Sequence, residues 1–215
     1  MQNIRRMSKR VFIGFFLGGL ILSFLSPFLV VAAMSLCKGA IGPTPDWVGA
    51  IVLPLLVFFA LCSALAVIVF IYDMWRSIQD GHAHTSPGLA FALLLIPVFN
   101  VYWVFQALWG LAKDYNAYIR RYHVGTPPLR EGLFLTTSIT FSLSYLPTVI
   151  GLLGLLLHFT GLGAFFLAGP GASFLAVLGA ISFVGTLAGL ANLVIIPIIM
   201  SKGCDASNAI RNVAA

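Results

Sequence analysis

The chain has 215 residues, 60% of them hydrophobic and 8% charged, with a mean hydropathy of +1.03. Soluble domains carry about 25% charged residues, so this composition excludes one and points to an integral membrane protein. The net charge of +6 comes from short Lys and Arg clusters beside apolar runs, which orient helices and attract anionic lipid headgroups; nothing here suits a nucleic acid.

After the basic start MQNIRRMSKR comes the apolar run Val11–Met34. It is longer than the 7–15 residues of a cleaved signal's apolar region, so an uncleaved anchor is expected. The stretch MSLC before Lys38 is a poor lipoprotein box, because Leu36 stands where a small residue is needed. Cys37, Cys62 and Cys204 form no CxxC pair, and Cys62 is expected to be a small packing residue.

Four more apolar segments follow: Val48–Tyr72, Leu89–Leu111, Leu133–Phe159 and Phe174–Met200. Runs of this length without period-2 alternation are helices, since lipid leaves backbone groups no other partner. Start signals precede three of them: Thr44, Pro45 and Asp46; Ser86 and Pro87; and Thr126, Pro127 and Glu131. Between the last two runs, Gly161–Ser173 is Gly-rich, apolar and uncharged, which suits an interfacial turn. The longest hydrophilic segment, Ala112–Gly132, is too short for a core of its own. Residues 1–215 therefore read as one transmembrane domain with no soluble domain.

The third segment decides the topology. If all five segments span from a cytoplasmic N-terminus, Arg5, Arg6, Lys9, Arg10 and Arg76 fall inside and the other seven cations outside, which gives no bias. If Leu89–Leu111 enters and returns, only Lys38 stays outside. Pro97 in IPVFN disfavours helix at Ile96, and Asn100 is placed to bond the backbone groups that a break frees. Tyr102, Trp103 and Trp109 are interfacial residue types. The expected fold is all-α, with four spanning helices, one re-entrant or interfacial hairpin and both termini cytoplasmic. The alternative is five spans, the third kinked at Pro97.

No Asp, Glu, Lys or Arg lies mid-span, which weighs against proton relays and ion-coupled transport. Gln106 and Asn192 are the other polar groups within the apolar segments that stand out beside Asn100; Asn192 is expected to bond a neighbouring helix or carbonyls near Pro197. Thr136, Thr140, Ser144 and Thr148 recur every four residues. Such a face is expected to pack, with hydroxyls on i−4 carbonyls, and the competing reading is a polar path that includes Asn192. Gly14 with Gly18, and Gly185 with Gly189, form GxxxG pairs expected at helix contacts, first within the chain and second in a dimer. His82 and His84, with His123 as third ligand, are too few for a metal site, and a solvated loop is expected. His158 falls near the outer interface.

Residues Ile96–Tyr118, IPVFNVYWVFQALWGLAKDYNAY, resemble a passage in uncharacterised multi-pass bacterial membrane proteins. There an Ile-Pro-x-Phe-Asn core is followed by Tyr-Trp and then by Leu-Ala and an Asn. The resemblance covers about a tenth of the chain and implies a bacterial inner-membrane location. It brings no activity and no catalytic or ligand-binding residue. The expected function is that of a non-catalytic structural or complex-associated subunit without cofactor. Its partners would be anionic lipid, a second copy or a larger membrane complex. A transporter or channel for a small neutral or amphipathic solute is the alternative. A lipid-modifying enzyme built on the three histidines is a weaker third.

Overall fold

With so few polar side chains to help, the backbone satisfies its own hydrogen bonds, and every regular element among the described residues is helical. The computed structural model describes residues 6–22, 25, 47–159 and 171–214. Helix α1 covers residues 9–22, followed by α2 (Trp47–Ser77), α3 (Pro87–Ala92), a 3₁₀ turn (Leu93–Leu95) and α4 (Pro97–Val104). A π-helical turn (Phe105–Gly110), α5 (Leu111–Arg121), α6 (Glu131–Phe159) and α7 (Gly171–Ala214) complete the order. Among the described residues, two stretches, Val57–Ser77 and Gly179–Asn212, are long and apolar enough to cross a membrane. Thr44, Pro45 and Asp46 lie outside the described residues, as does most of the Gly161–Ser173 linker, whose last residues already belong to α7.

The chain divides into two compact units, Ser8–Phe70 and Met1–Met7 with Ile71–Ala215. In the smaller unit α1 meets α2 at Gly19. The Ser63 hydroxyl donates to the Phe16 carbonyl at 3.0 Å, and the Phe12 and Phe70 rings meet edge to face at 5.9 Å. This corrects the glycine assignment. Among the described residues nothing lies within 4 Å of a Cβ built on Gly14 or Gly18, whereas one on Gly19 would sit 2.4 Å from Ser63 Oγ and 2.8 Å from the Phe59 carbonyl. The GxxxG spacing picked the right helix, but within the chain it is Gly19, not Gly14 or Gly18, that meets α2. Gly19→Ala is therefore expected to cost about 1–3 kcal/mol by overpacking. Gly14→Ala should cost nothing and gain up to about 1 kcal/mol of helix propensity. Thermal unfolding in mild detergent, followed by circular dichroism, separates the two.

The larger unit is organised by α6 against α7. Thr140 donates to Asn192 Oδ1 at 2.6 Å, and a Gly189 Cβ would lie 3.8 Å from Ser144 Cβ, an ordinary contact; Gly185 is buried on the same helix. A serine of α6 holds α4: Ser142 donates to the Val101 carbonyl at 2.9 Å, while Ser138, bonded to the Phe134 carbonyl of its own helix at 3.0 Å, lies 3.4 Å from that of Val104.

Helix α7 continues past Met200, where the apolar segment ends, because Met200, Cys204, Ser207 and Ile210 keep a buried face at helical spacing. At 1.5 Å per residue its 44 residues run about 66 Å, roughly twice a hydrocarbon core. Near its C-terminal end, Asn208 pairs with Met7 reciprocally, N–H to Oδ1 and Nδ2–H to carbonyl, both at 2.9 Å. Helix α6 starts at Glu131 and not at Thr126. The carbonyl of Arg130 takes the first-turn amides, while Thr126 faces Tyr115, its hydroxyl 3.1 Å from the phenol oxygen.

Candidate functional site: a doubled-back hairpin

Ser86 caps α3 as its type and position require, accepting from the Leu89 amide at 3.2 Å with Pro87 first in the helix. The helix tightens to 3₁₀ at Leu93–Leu95 and ends at Ile96, which is extended at φ −87° and ψ 110°. Pro97 is the cause, since its ring excludes helical backbone at the residue before it. Pro97 itself opens α4, where its missing N–H costs nothing.

From there the chain runs back along itself. Trp103 Nε1 donates to the Ala90 carbonyl at 3.3 Å, and Gln106 Nε2 to Thr85 Oγ1 at 3.2 Å. Further out, His84 bonds Asp114 through both its amide and Nδ1 at 2.8 Å, and Arg121 pairs with Asp80. The pairs become more widely separated in sequence with distance from Ile96, which is the signature of two antiparallel legs. In an unbroken helix Ala90 and Trp103 would be about 20 Å apart along the axis.

The tip is apolar and open. Val98 is 76% exposed and Tyr102 71%, with Leu95, Ile96 and Phe99 beside them; Phe99 also stacks on Trp103 at 5.6 Å. Asn100 does not play the expected part. Its amide bonds the Ile96 carbonyl at 2.8 Å, as any residue's would, but its side chain is buried and Oδ1 has no partner among the described residues. A buried acceptor without a donor costs about 1–3 kcal/mol, so Asn100→Leu is expected to raise the unfolding temperature and leave the hairpin intact. A lower unfolding temperature for that variant would contradict the assignment.

The base of the hairpin is polar. Asp80 receives the His82 amide at 2.8 Å and the Arg121 guanidinium, while Ile78, His84, Asp114 and Tyr118 complete a cleft of about 40 Å³. Partial burial pushes the Asp80 carboxyl up, but the His82 amide and Arg121 outweigh it and hold it below its ordinary 3.8. The stability this contributes is complete above pH 3.8 and disappears as pH falls through the lower folded value. Asp80→Asn should thus be less stable than wild type at neutral pH and match it in stronger acid. Burial also pushes up the phenols of Tyr115 and of Tyr118, whose neighbours Tyr122 and Asp80 add to the effect.

Two of the three histidines are drawn to carboxylates, His84 to Asp114 and His82 to Asp80 at 3.8 Å. His123 occupies a turn at φ +50°. Among the described residues no group of three or more His, Cys, Asp or Glu is placed to hold a metal. In the hydroxyl stripe, Thr136 bonds the Gly132 carbonyl and Ser144 that of Phe141, while Thr140 reaches across to Asn192. The side chain of Thr148 lies outside the described residues.

Sequence reading missed the hairpin's base and the residue that closes α5 onto the following loop. Asn116 Nδ2 donates to the Leu129 carbonyl at 2.9 Å and to Glu131 at 3.1 Å, while its Oδ1 accepts the Leu129 amide at 2.8 Å. A signal for the base was present, since charges of opposite sign at Asp80 and Arg121 lie on either side of Ile96–Pro97. Comparison with protein-family models, with curated proteins and with solved structures finds no match to this chain.

Proposed function

We propose that this chain is a small multi-pass membrane protein with four spans, one re-entrant hairpin and both termini in the cytoplasm. It serves as a non-catalytic structural or complex-associated subunit. The observation that carries this reading is the hairpin, with an apolar exposed tip on legs whose base is a polar, ion-paired cleft. Such a tip suits lipid and such a base suits the membrane–water boundary. Helix α7 repeats the division, with exposed Phe183, Leu187, Leu190 and Val194 followed by exposed Lys202, Asp205 and Arg211. With the hairpin returning, eleven of the twelve cations lie on one side, and the resemblance of Ile96–Tyr118 makes a bacterial inner membrane the location.

The experiment is carbonate extraction of membranes followed by native electrophoresis in mild detergent. The reading expects the chain to stay with the membrane and to migrate in a species larger than a monomer. Release by carbonate, or a monomer alone, contradicts it. Transport of a small neutral solute is the second reading, favoured by the unpartnered Asn100 Oδ1 beside a helix break, an acceptor for a solute hydroxyl. Solute flux into liposomes that Asn100→Leu abolishes would select it.

A further inference from the structure

Between α1 and the N-terminal part of α2, inside the smaller unit, runs an open groove of about 490 Å³, within the size range of ligand sites. Its walls include Val11, Gly14, Phe15, Gly18, Leu22 and Phe58, and at one end stands Arg10, exposed to solvent. Gly19 and Ser63 hold the two helices together, while Gly14 and Gly18 face open space, so the groove exists because these glycines contribute no side chain. From Arg10 to Leu22 the helix rises about 18 Å, close to one leaflet's half of a hydrocarbon core of about 30 Å.

We infer that this groove binds one acyl chain of an anionic phospholipid, with the lipid phosphate on the Arg10 guanidinium. The choice of occupant rests on charge and length. The walls are apolar for one leaflet's depth, and the single charge lies at the end where a headgroup would sit. A second copy of α1 would bring another Arg10 to a like-charged groove end if parallel. The inference rests on the membrane reading proposed above and adds to it a site and a lipid class.

The test uses the full chain, equilibrated in mild detergent with equal amounts of phosphatidylglycerol and phosphatidylcholine, and counts retained lipid by native mass spectrometry. Wild type should retain phosphatidylglycerol over phosphatidylcholine by about fivefold, the effect of one cation near an anionic surface. Arg10→Ala should lose the preference and Arg10→Lys keep it. Gly14→Leu with Gly18→Leu, which meets no atom at either Cβ and fills the groove, should lose retained lipid of both kinds. An unchanged preference in Arg10→Ala overturns the inference, and so does full lipid retention in the double variant. So does a double variant that changes only its oligomeric state, because the occupant is then a second copy. Should the double variant fail to fold, the Arg10 pair decides alone. A chain that carbonate releases from the membrane defeats the wider reading, whereas a membrane-held chain without lipid preference defeats only the groove.

Discussion

Trp75→Ala is expected to destabilise the larger unit by about 3–5 kcal/mol, the usual cost of removing a fully buried aromatic side chain. Trp75 has no exposed surface and stands at the C-terminal end of α2. Its Nε1 donates at 3.0 Å to the carbonyl of Ala107, within the π-helical turn where the hairpin's return leg departs from regular α-helix. Two losses combine in the Ala variant: a cavity, and a carbonyl left without this donor. Trp75→Phe separates them. It keeps most of the packing, loses the hydrogen bond, and should cost about 1–3 kcal/mol. Unfolding in mild detergent by added denaturing surfactant, monitored at the far-ultraviolet helix band, measures both. Equal costs for Ala and Phe would mean that the hydrogen bond, and not the packing, is what Trp75 supplies.

The second large effect is expected at Asn116. Its carboxamide bonds both backbone groups of Leu129 and also reaches Glu131, so one buried side chain fixes the path of the α5–α6 loop. Asn116→Leu fills similar volume but leaves a buried amide and carbonyl without partners, at about 2–6 kcal/mol for the two. Asn116→Asp keeps the acceptor for the Leu129 amide, removes both donor bonds and sets a second carboxylate against Glu131. Repulsion between like charges is relieved when acid protonates one of them. The Asp variant should therefore be weakest at neutral pH and recover towards wild type in mild acid, while the Leu variant should show no such recovery. Hydrogen exchange at the Leu129 amide gives a local reading, with faster exchange expected in the Leu variant.

Much of the fold was legible because its causes are local. Length and hydropathy mark the helices, Ser86 and Pro87 mark a helix start, and Pro97 marks a break one residue before itself, at Ile96. The failures are those of residues whose partners lie far away in sequence. Gly14 and Gly18 carry the right spacing, but which face of α1 meets α2 is set by the fit of Ser63 and Phe59 around Gly19. Asn100 looks like a residue that repairs a break, yet the break is repaired by the backbone of α4, and its Oδ1 is left over. The extension of α7 to Ala214 was written in the spacing of Met200, Cys204, Ser207 and Ile210, but Lys202 and Asp205 between them hide it from hydropathy. Asn116 stands in the resemblance as the Asn after Leu-Ala, but its role stays hidden, because an Asn in a polar helix is ordinary until the loop at Leu129 folds over it.

The measurement closest to the central claim is the sidedness of the hairpin's two ends. In a background lacking the native cysteines, His82→Cys and Gly125→Cys place single thiols at exposed positions on either side of the hairpin, and Ile41→Cys places one between the first two apolar segments. A membrane-impermeant maleimide should label positions 82 and 125 from the same, cytoplasmic side and position 41 from the other. Labelling of 82 and 125 from opposite sides would mean that Leu89–Leu111 crosses the membrane, and would contradict the account.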